Sequence, residues 1–299
     1  MPPFPRSLVA LACASLALAA APTRGASRAG GGPGAAAGGV AWLGPRAPVR
    51  PQRIVSLAPS ATDVVVALGQ SARLVGVTRY DTAPEVKGLP SVGGFIDPNP
   101  EAVLALRPDL VLWVTDGGAL VRVRHIADLG VPVLALPVIG VDDVISTARI
   151  IGSALGDAPA GERLARTLAD GVARVRARAD RLPHRRVLFV VGHEPLVVAG
   201  PGSYPDELLR IAGAENVVRG THHWPVYPLE KAVADDPYIV IDAARMEHGG
   251  GEARLGAIPA VRRGRLVELE SDDALHPGPR LLSVLEKLFA IIHHEAARK

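Results

Sequence analysis

The segment Pro98–Val114 reads PNPEAVLALRPDLVLWV, and the chain repeats the move at Pro228–Ile241, PLEKAVADDPYIVI. In both, a glutamate (Glu101, Glu230) is followed seven residues later by a proline (Pro108, Pro237), and then by an apolar burst, Leu110–Val114 or Tyr238–Ile241. Proline suits the first turn of a helix and is excluded from its interior. Each segment therefore reads as a short helix that is stopped and fed into a buried strand. Two copies 129 residues apart predict a chain built from two related halves.

The flanking sequence agrees. Apolar runs RIVSLA (from Arg53), RLVGV, DLVLWV and PVLAL alternate with helical patterns, including one across 119–129, and Ser60 is placed to cap a helix ended by Gly69. RVLFVV, PLVVAG, YIVI and RLVEL repeat the alternation after Arg186, and SYPDELLRIAG (Ser203–Gly213) parallels SATDVVVALG (Ser60–Gly69). Such alternation predicts parallel sheets. Between the halves, Leu164, Leu168, Val172, Val175, Ala179 and Leu182 fall on one face of a helix from Ala160 that Pro183 ends. The predicted fold class is α/β: two Rossmann-like lobes with parallel sheets, joined by one long backbone helix, with a ligand cleft between them. The expected boundaries are a first lobe at 51–152, the connecting helix at 158–183 and a second lobe at 184–299.

Residues 1–29 fit a signal peptide, with Arg6 ahead of the apolar run Leu8–Ala21. That run has 14 residues, short of the ~20 that span a bilayer. Cys13, the only cysteine, has too little apolar chain before it for a lipoprotein anchor. A Gly/Ala/Pro-rich stretch at 30–50 reads as a flexible linker. Removing residues 1–29, which hold three arginines and no acid, leaves 30 basic against 30 acidic residues, so no basic patch points to nucleic acid. The exported chain then has no thiol for catalysis or cross-linking. No G-x-G-x-x-G follows either leading strand, and neither a P-loop nor G-x-S-x-G occurs, which sets aside the rival reading as an α/β enzyme.

Glu101 and Glu230 stand in first helical turns, where a carboxylate gains about 0.3–1 kcal/mol from the helix dipole. Their matched spacing offers a second role. Two pseudo-symmetric acids suit a two-fold partner bearing arginines.

RIVSLAPSATDVVVALG, VGVTRYDTAP, VGGFIDPNPEAVLALRPDLVL, LGVPVLALP, GAENVVRG and HHWPVYPLEKAV, taken in order over residues 51–292, resemble the helical-backbone substrate-binding proteins of bacterial ABC importers, and within them the cobalamin binders. The resemblance implies a periplasmic, monomeric receptor without a cofactor of its own. Its ligand would be cobalamin or another metal chelate, and its partner the transmembrane permease dimer, docked through Glu101 and Glu230. Haem and ferric-siderophore receptors share the fold and stay open. Loops after strands supply the expected cleft: Tyr80 and Phe95 from the first lobe; His193, His223 and Trp224 from the second; and Asp272 and His276 in SDDALHPGPR, which also holds Arg280. The resemblance puts Trp224 on the wall of the corrinoid pocket and Asp272 on the ligand's polar edge. His222, His223 and His276 fall where the ligand would lie, so a neutral imidazole, His223 or His276 first, is a candidate axial ligand. For haem, Tyr80 or Tyr227 is the candidate. His184, His293 and His294 read as surface or core histidines.

Overall fold

A computed structural model describes residues 39–115, 118–244, 254–269 and 274–293, all within one compact unit. The predicted signal peptide, Asp272 and His294 lie outside the described residues.

The apolar bursts of the two repeated segments become fully buried strands, Leu110–Val114 and Ile239–Asp242. In the first lobe β2 (Ile54–Ser56), β3 (Leu74–Gly76), β4 (Leu110–Val114) and β5 (Val133–Leu136) run parallel in the order β5-β4-β2-β3. In the second lobe β6 (Arg185–His193), β8 (Ala214–Asn216), β9 (Ile239–Asp242) and β10 (Leu266–Glu268) repeat that order as β10-β9-β6-β8, again parallel. Each lobe adds one antiparallel strand. β1 (Ala41–Leu43) pairs with β5, and β7 (Leu196–Val198) folds back on the far half of β6.

β1 corrects the linker reading of 30–50. Within that Gly/Ala/Pro-rich stretch, the run Val40–Leu43 has enough apolar, β-prone side chain to add to the edge of β5. The cap at Ser60 is also corrected. Helix α1 (Pro59–Ala67) starts two residues earlier than that cap implies, because Pro59 takes the first helical position and leaves Ala58 as the cap residue. Its counterpart α6 (Tyr204–Ile211) is capped as its sequence indicates, with the Ser203 side chain accepting from the Asp206 amide.

The repeated segments form α2 (Pro100–Ala105) leading to β4, and α7 (Leu229–Ala234) leading to β9. Helix α3 (Leu120–Asp128) precedes β5, and α8 (Pro259–Arg262) precedes β10. The lobes are linked through α4 (Val141–Ala154) and then α5 (Ala158–Ala179), 22 residues long. Helix α5 is the long connecting helix, and α4 packs along it. It ends at Ala179 rather than reaching Leu182, and Asp157 caps its start by accepting from the Ala160 amide.

Helix α4 returns against α5 so closely that a Cβ on Gly152 would lie 2.5 Å from the Gly161 Cα, and one on Gly161 would lie 2.7 Å from the Ala148 carbonyl oxygen. The shared core continues across the lobes. Ile145, Ala148 and Ile151 of α4, Leu168, Val172 and Val175 of α5, Leu208 of α6, and Leu285 and Leu288 of α9 (Leu281–His293) belong to one buried cluster. Burying each of the leucines and valines contributes about 1.5–3 kcal/mol. A continuous interior of this kind, packed as densely as a crystal, permits only small relative movement of the two sheets. Among the described residues, no helix is long and apolar enough to cross a membrane.

Candidate functional site

In parallel α/β sheets, ligands gather beyond the carboxyl ends of the strands. After β3 the chain turns at Thr78–Asp81. The Asp81 carboxylate accepts from the Thr78 amide and hydroxyl at 2.7 and 2.6 Å, and the Tyr80 amide donates to the Thr78 hydroxyl at 3.2 Å. That turn fixes Tyr80, which is 49% exposed. Arg79 beside it stacks 5.1 Å from the ring centroid while donating to both carboxylate oxygens of Asp97 at 2.7 and 2.8 Å. The hydrogen bond from Arg79 holds the Asp97 carboxyl below the usual carboxylate range. This pair ties the Tyr80 turn to the loop carrying Phe95, half-buried, and Ile96, exposed. Ile139, beyond β5, adds another exposed apolar side chain at this end of the sheet.

In the second lobe, Trp224 is 48% exposed on the loop between β8 and α7. The loop is held at both sides. The Gly200 amide donates to the His223 carbonyl at 2.8 Å, and Tyr227 and Leu196 share a backbone hydrogen bond of the same length. Gly200 is required here, since a Cβ would meet the His222 carbonyl oxygen at 2.0 Å. His222 and His223 are exposed, with the His223 ring beside Gly202. Val226, exposed, extends the apolar surface next to Trp224.

His193 ends β6, and its Nε2 lies 2.8 Å from Oδ2 of Asp242 at the end of the adjacent β9. The Asp242 side chain is buried, and its other oxygen accepts from the Ala244 amide. A carboxylate only accepts, so His193 donates from Nε2 and keeps Nδ1 for another partner. The buried carboxylate fixes the orientation of the His193 ring.

The last candidate stretch is described from Ala274. His276 is exposed, while Arg280 reaches the first lobe, donating from Nε and Nη2 to Oδ2 of Asp63 at 3.0 and 2.9 Å. Tyr227 is not available as a haem ligand. Its ring is buried and its hydroxyl is bonded to Asp235, because the residue packs under α7 rather than facing outward. His293 is buried against the Ala212 carbonyl, whereas His125 and His184 are exposed. Glu101 and Glu230 are both exposed in the first turns of α2 and α7, one in each lobe.

Sequence reasoning missed Asp242, the Arg79–Asp97 brace, Ile96 and Ile139. Only the last two left a local trace, as apolar residues in loops just past strands. Among the described residues, no cluster of three or more histidine, cysteine or acidic side chains is placed to hold a metal ion.

A family model described as periplasmic binding protein matches residues 54–272. The vitamin B12-binding protein of Pectobacterium carotovorum is 26% identical over 246 residues, which cover 80% of this chain and 87% of that protein. An uncharacterized ABC transporter substrate-binding lipoprotein of Bacillus subtilis is 27% identical over 83% of this chain and 82% of its own length. The crystal structure of a periplasmic haem-binding protein from Pseudomonas aeruginosa matches with a TM-score of 0.72 at 31% identity, covering 82% of this chain and 93% of that one.

Proposed function

We propose a cargo for this chain, which belongs to the periplasmic binding protein family: it captures cobalamin or a related corrinoid outside the cytoplasmic membrane and delivers it to the permease of an ABC transporter. One observation carries the reading. Tyr80 and Trp224, each beyond the strands of a different lobe, are held by braced loops with about half of each side chain exposed. Two flat faces fixed in this way suit a large planar macrocycle, which they can clamp with little loss of side-chain freedom. The curated relatives named vitamin B12-binding protein favour a corrin ring. Glu101 and Glu230 would be the docking feet, one per lobe, and export would precede binding.

Haem is the second reading, on a specific ground. Tyr80 presents an exposed phenol on a braced turn, and the haem-binding structure from Pseudomonas aeruginosa is 31% identical. The test mixes the exported protein with cyanocobalamin, haemin and ferrichrome, following visible spectra and titration heat. Cyanocobalamin is expected to bind at micromolar affinity or tighter. Binding of haemin alone overturns the corrinoid reading, and no binding of any probe overturns the chelate reading altogether.

A further inference from the structure

The helices α1 and α6 are counterparts, and each carries an aspartate three residues after its serine: Asp63 after Ser60, Asp206 after Ser203. Their partners differ. Asp206 is served inside its own lobe, by the Gly202 amide and the Asn216 side-chain amide, both at 3.0 Å. Asp63 is reached from the other lobe, by the two Arg280 nitrogens, across 217 residues of chain. The Asp63 side chain is only 13% exposed, so the pair is partly withdrawn from solvent.

The same guanidinium acts on a second acid. Burial pushes the Asp81 carboxyl up, and the hydroxyls of Thr62 and Thr78 and the charge of Arg280 act against that rise. Asp81 is the residue that anchors Thr78, and Thr78 anchors the Tyr80 amide. Thr62, one residue before Asp63 on α1, acts with Thr78 on the Asp81 carboxyl that anchors the Tyr80 turn, so the bridge from the second lobe lands on the helix beside that turn. Gly278 approaches the Ser60 Cα along the same seam.

We propose that Arg280 is a positioning residue: by bridging to Asp63 it tethers the second lobe to α1 of the first, setting the spacing between the lobes and, through α1, the presentation of Tyr80 to the ligand. The effect on the ligand rests on the function proposed above, while the tether itself does not. Because the core across α4 and α5 already limits large motion, the tether acts on cleft width and on ligand residence time rather than on folding.

The test labels Lys87→Cys and Arg262→Cys, exposed positions on different lobes of a chain whose only cysteine lies in the leader, and reads the inter-lobe distance distribution by electron–electron resonance. Arg280→Gln and Asp63→Asn are each expected to broaden that distribution. Each should also speed dissociation of whichever probe binds, cyanocobalamin or haemin, by about tenfold, since changes at a binding site act mostly on the off-rate. The exchange Asp63→Arg with Arg280→Asp is expected to recover part of both effects, which a general loss of packing would not allow. Unchanged distributions in both single variants overturn the tether, as does an exchange no better than the singles. Broadened distributions in a protein that binds neither probe sustain the tether and remove the chelate reading instead.

Discussion

Arg107 and Asp236 share a left-handed backbone, with φ of 45° and 37°, and each stands six residues after its lobe's exposed glutamate and directly before a proline. They are the non-glycine residues with positive φ among the described ones. Both end the short helix of the repeated segment and turn the chain into the central strand, and both lobes close the turn alike. The Asp109 amide donates to the Arg53 carbonyl, and the Tyr238 amide to that of Arg186, at 2.9 and 2.8 Å. A side chain in this region costs about 1–2 kcal/mol, with Asp better tolerated than Arg. Arg107→Gly is therefore expected to raise stability by about 1 kcal/mol. Asp236→Gly should gain less, since it also loses the exposed contact with Arg263. Urea unfolding of the two variants checks the order.

The twin sheets were legible because their signals are local. Helix starts, prolines and apolar bursts repeat with matched spacing, and each half specifies its own strand order. β8 escaped because Ala214–Asn216 is three residues long with Glu215 exposed at its centre. β1 escaped because the glycines and prolines around it read as linker. In the site, the loop aromatics could be found from sequence. Asp242 and the Asp63–Arg280 bridge could not, because partners 49 and 217 residues apart leave no periodic trace.

The contact between α4 and α5 predicts steric sensitivity at two positions. An added methyl at Gly161 meets the backbone of α4, which cannot rotate aside as a side chain could. Gly161→Ala is expected to cost about 1–3 kcal/mol, as overpacking does. The thermal midpoint should fall by roughly 5 °C for a chain of this size. Gly152→Ala should cost a similar amount, and a control at Gly88, where nothing lies within 4 Å, is limited by its positive φ rather than by space.

His293 gives the fold a pH dependence of definite sign. Burial lowers its pKa below the ordinary 6.5, as do the charges of Arg185 and His184, while the hydrogen bond to the Ala212 carbonyl acts the other way. The unfolded chain therefore binds the proton first, and stability rises with pH across the window just below 6.5. As pH falls through 6.5 that stability is lost. Asp81, with its carboxyl pushed up, contributes the opposite slope above its ordinary value of 3.8. Comparing His293→Gln with the parent chain isolates the histidine: the variant should show a flatter stability profile just below pH 6.5.

The hydroxyl and the ring of Tyr80 separate the two cargoes. A corrin ring needs only the aromatic face. Tyr80→Phe is then expected to leave cyanocobalamin affinity within about threefold, while Tyr80→Ala weakens it by about tenfold, near the upper worth of an aromatic contact. If the phenolate binds ferric haem, Tyr80→Phe instead changes the visible spectrum of the haemin complex and weakens it. Equal, small effects of both substitutions on every probe would remove Tyr80 from the site.

Glu101 and Glu230 are expected to act on docking and not on the cargo. Both are exposed, and neither lies on a loop that carries the candidate ligand residues. Replacing either with alanine should leave ligand affinity unchanged and weaken association with the cognate permease in nanodiscs by about fivefold, the equivalent of about 1 kcal/mol for an exposed ion pair. The sites stand on separate lobes, so the double variant should add the two losses and reach about twenty-five-fold. Raising the salt concentration should narrow the gap between variant and parent, because exposed charges are screened over about 8–10 Å at physiological ionic strength. Loss of ligand binding in either single variant would assign the acids to the cleft or to folding. Additive, salt-sensitive losses in docking alone would fit one contact from each lobe on a two-fold symmetric partner.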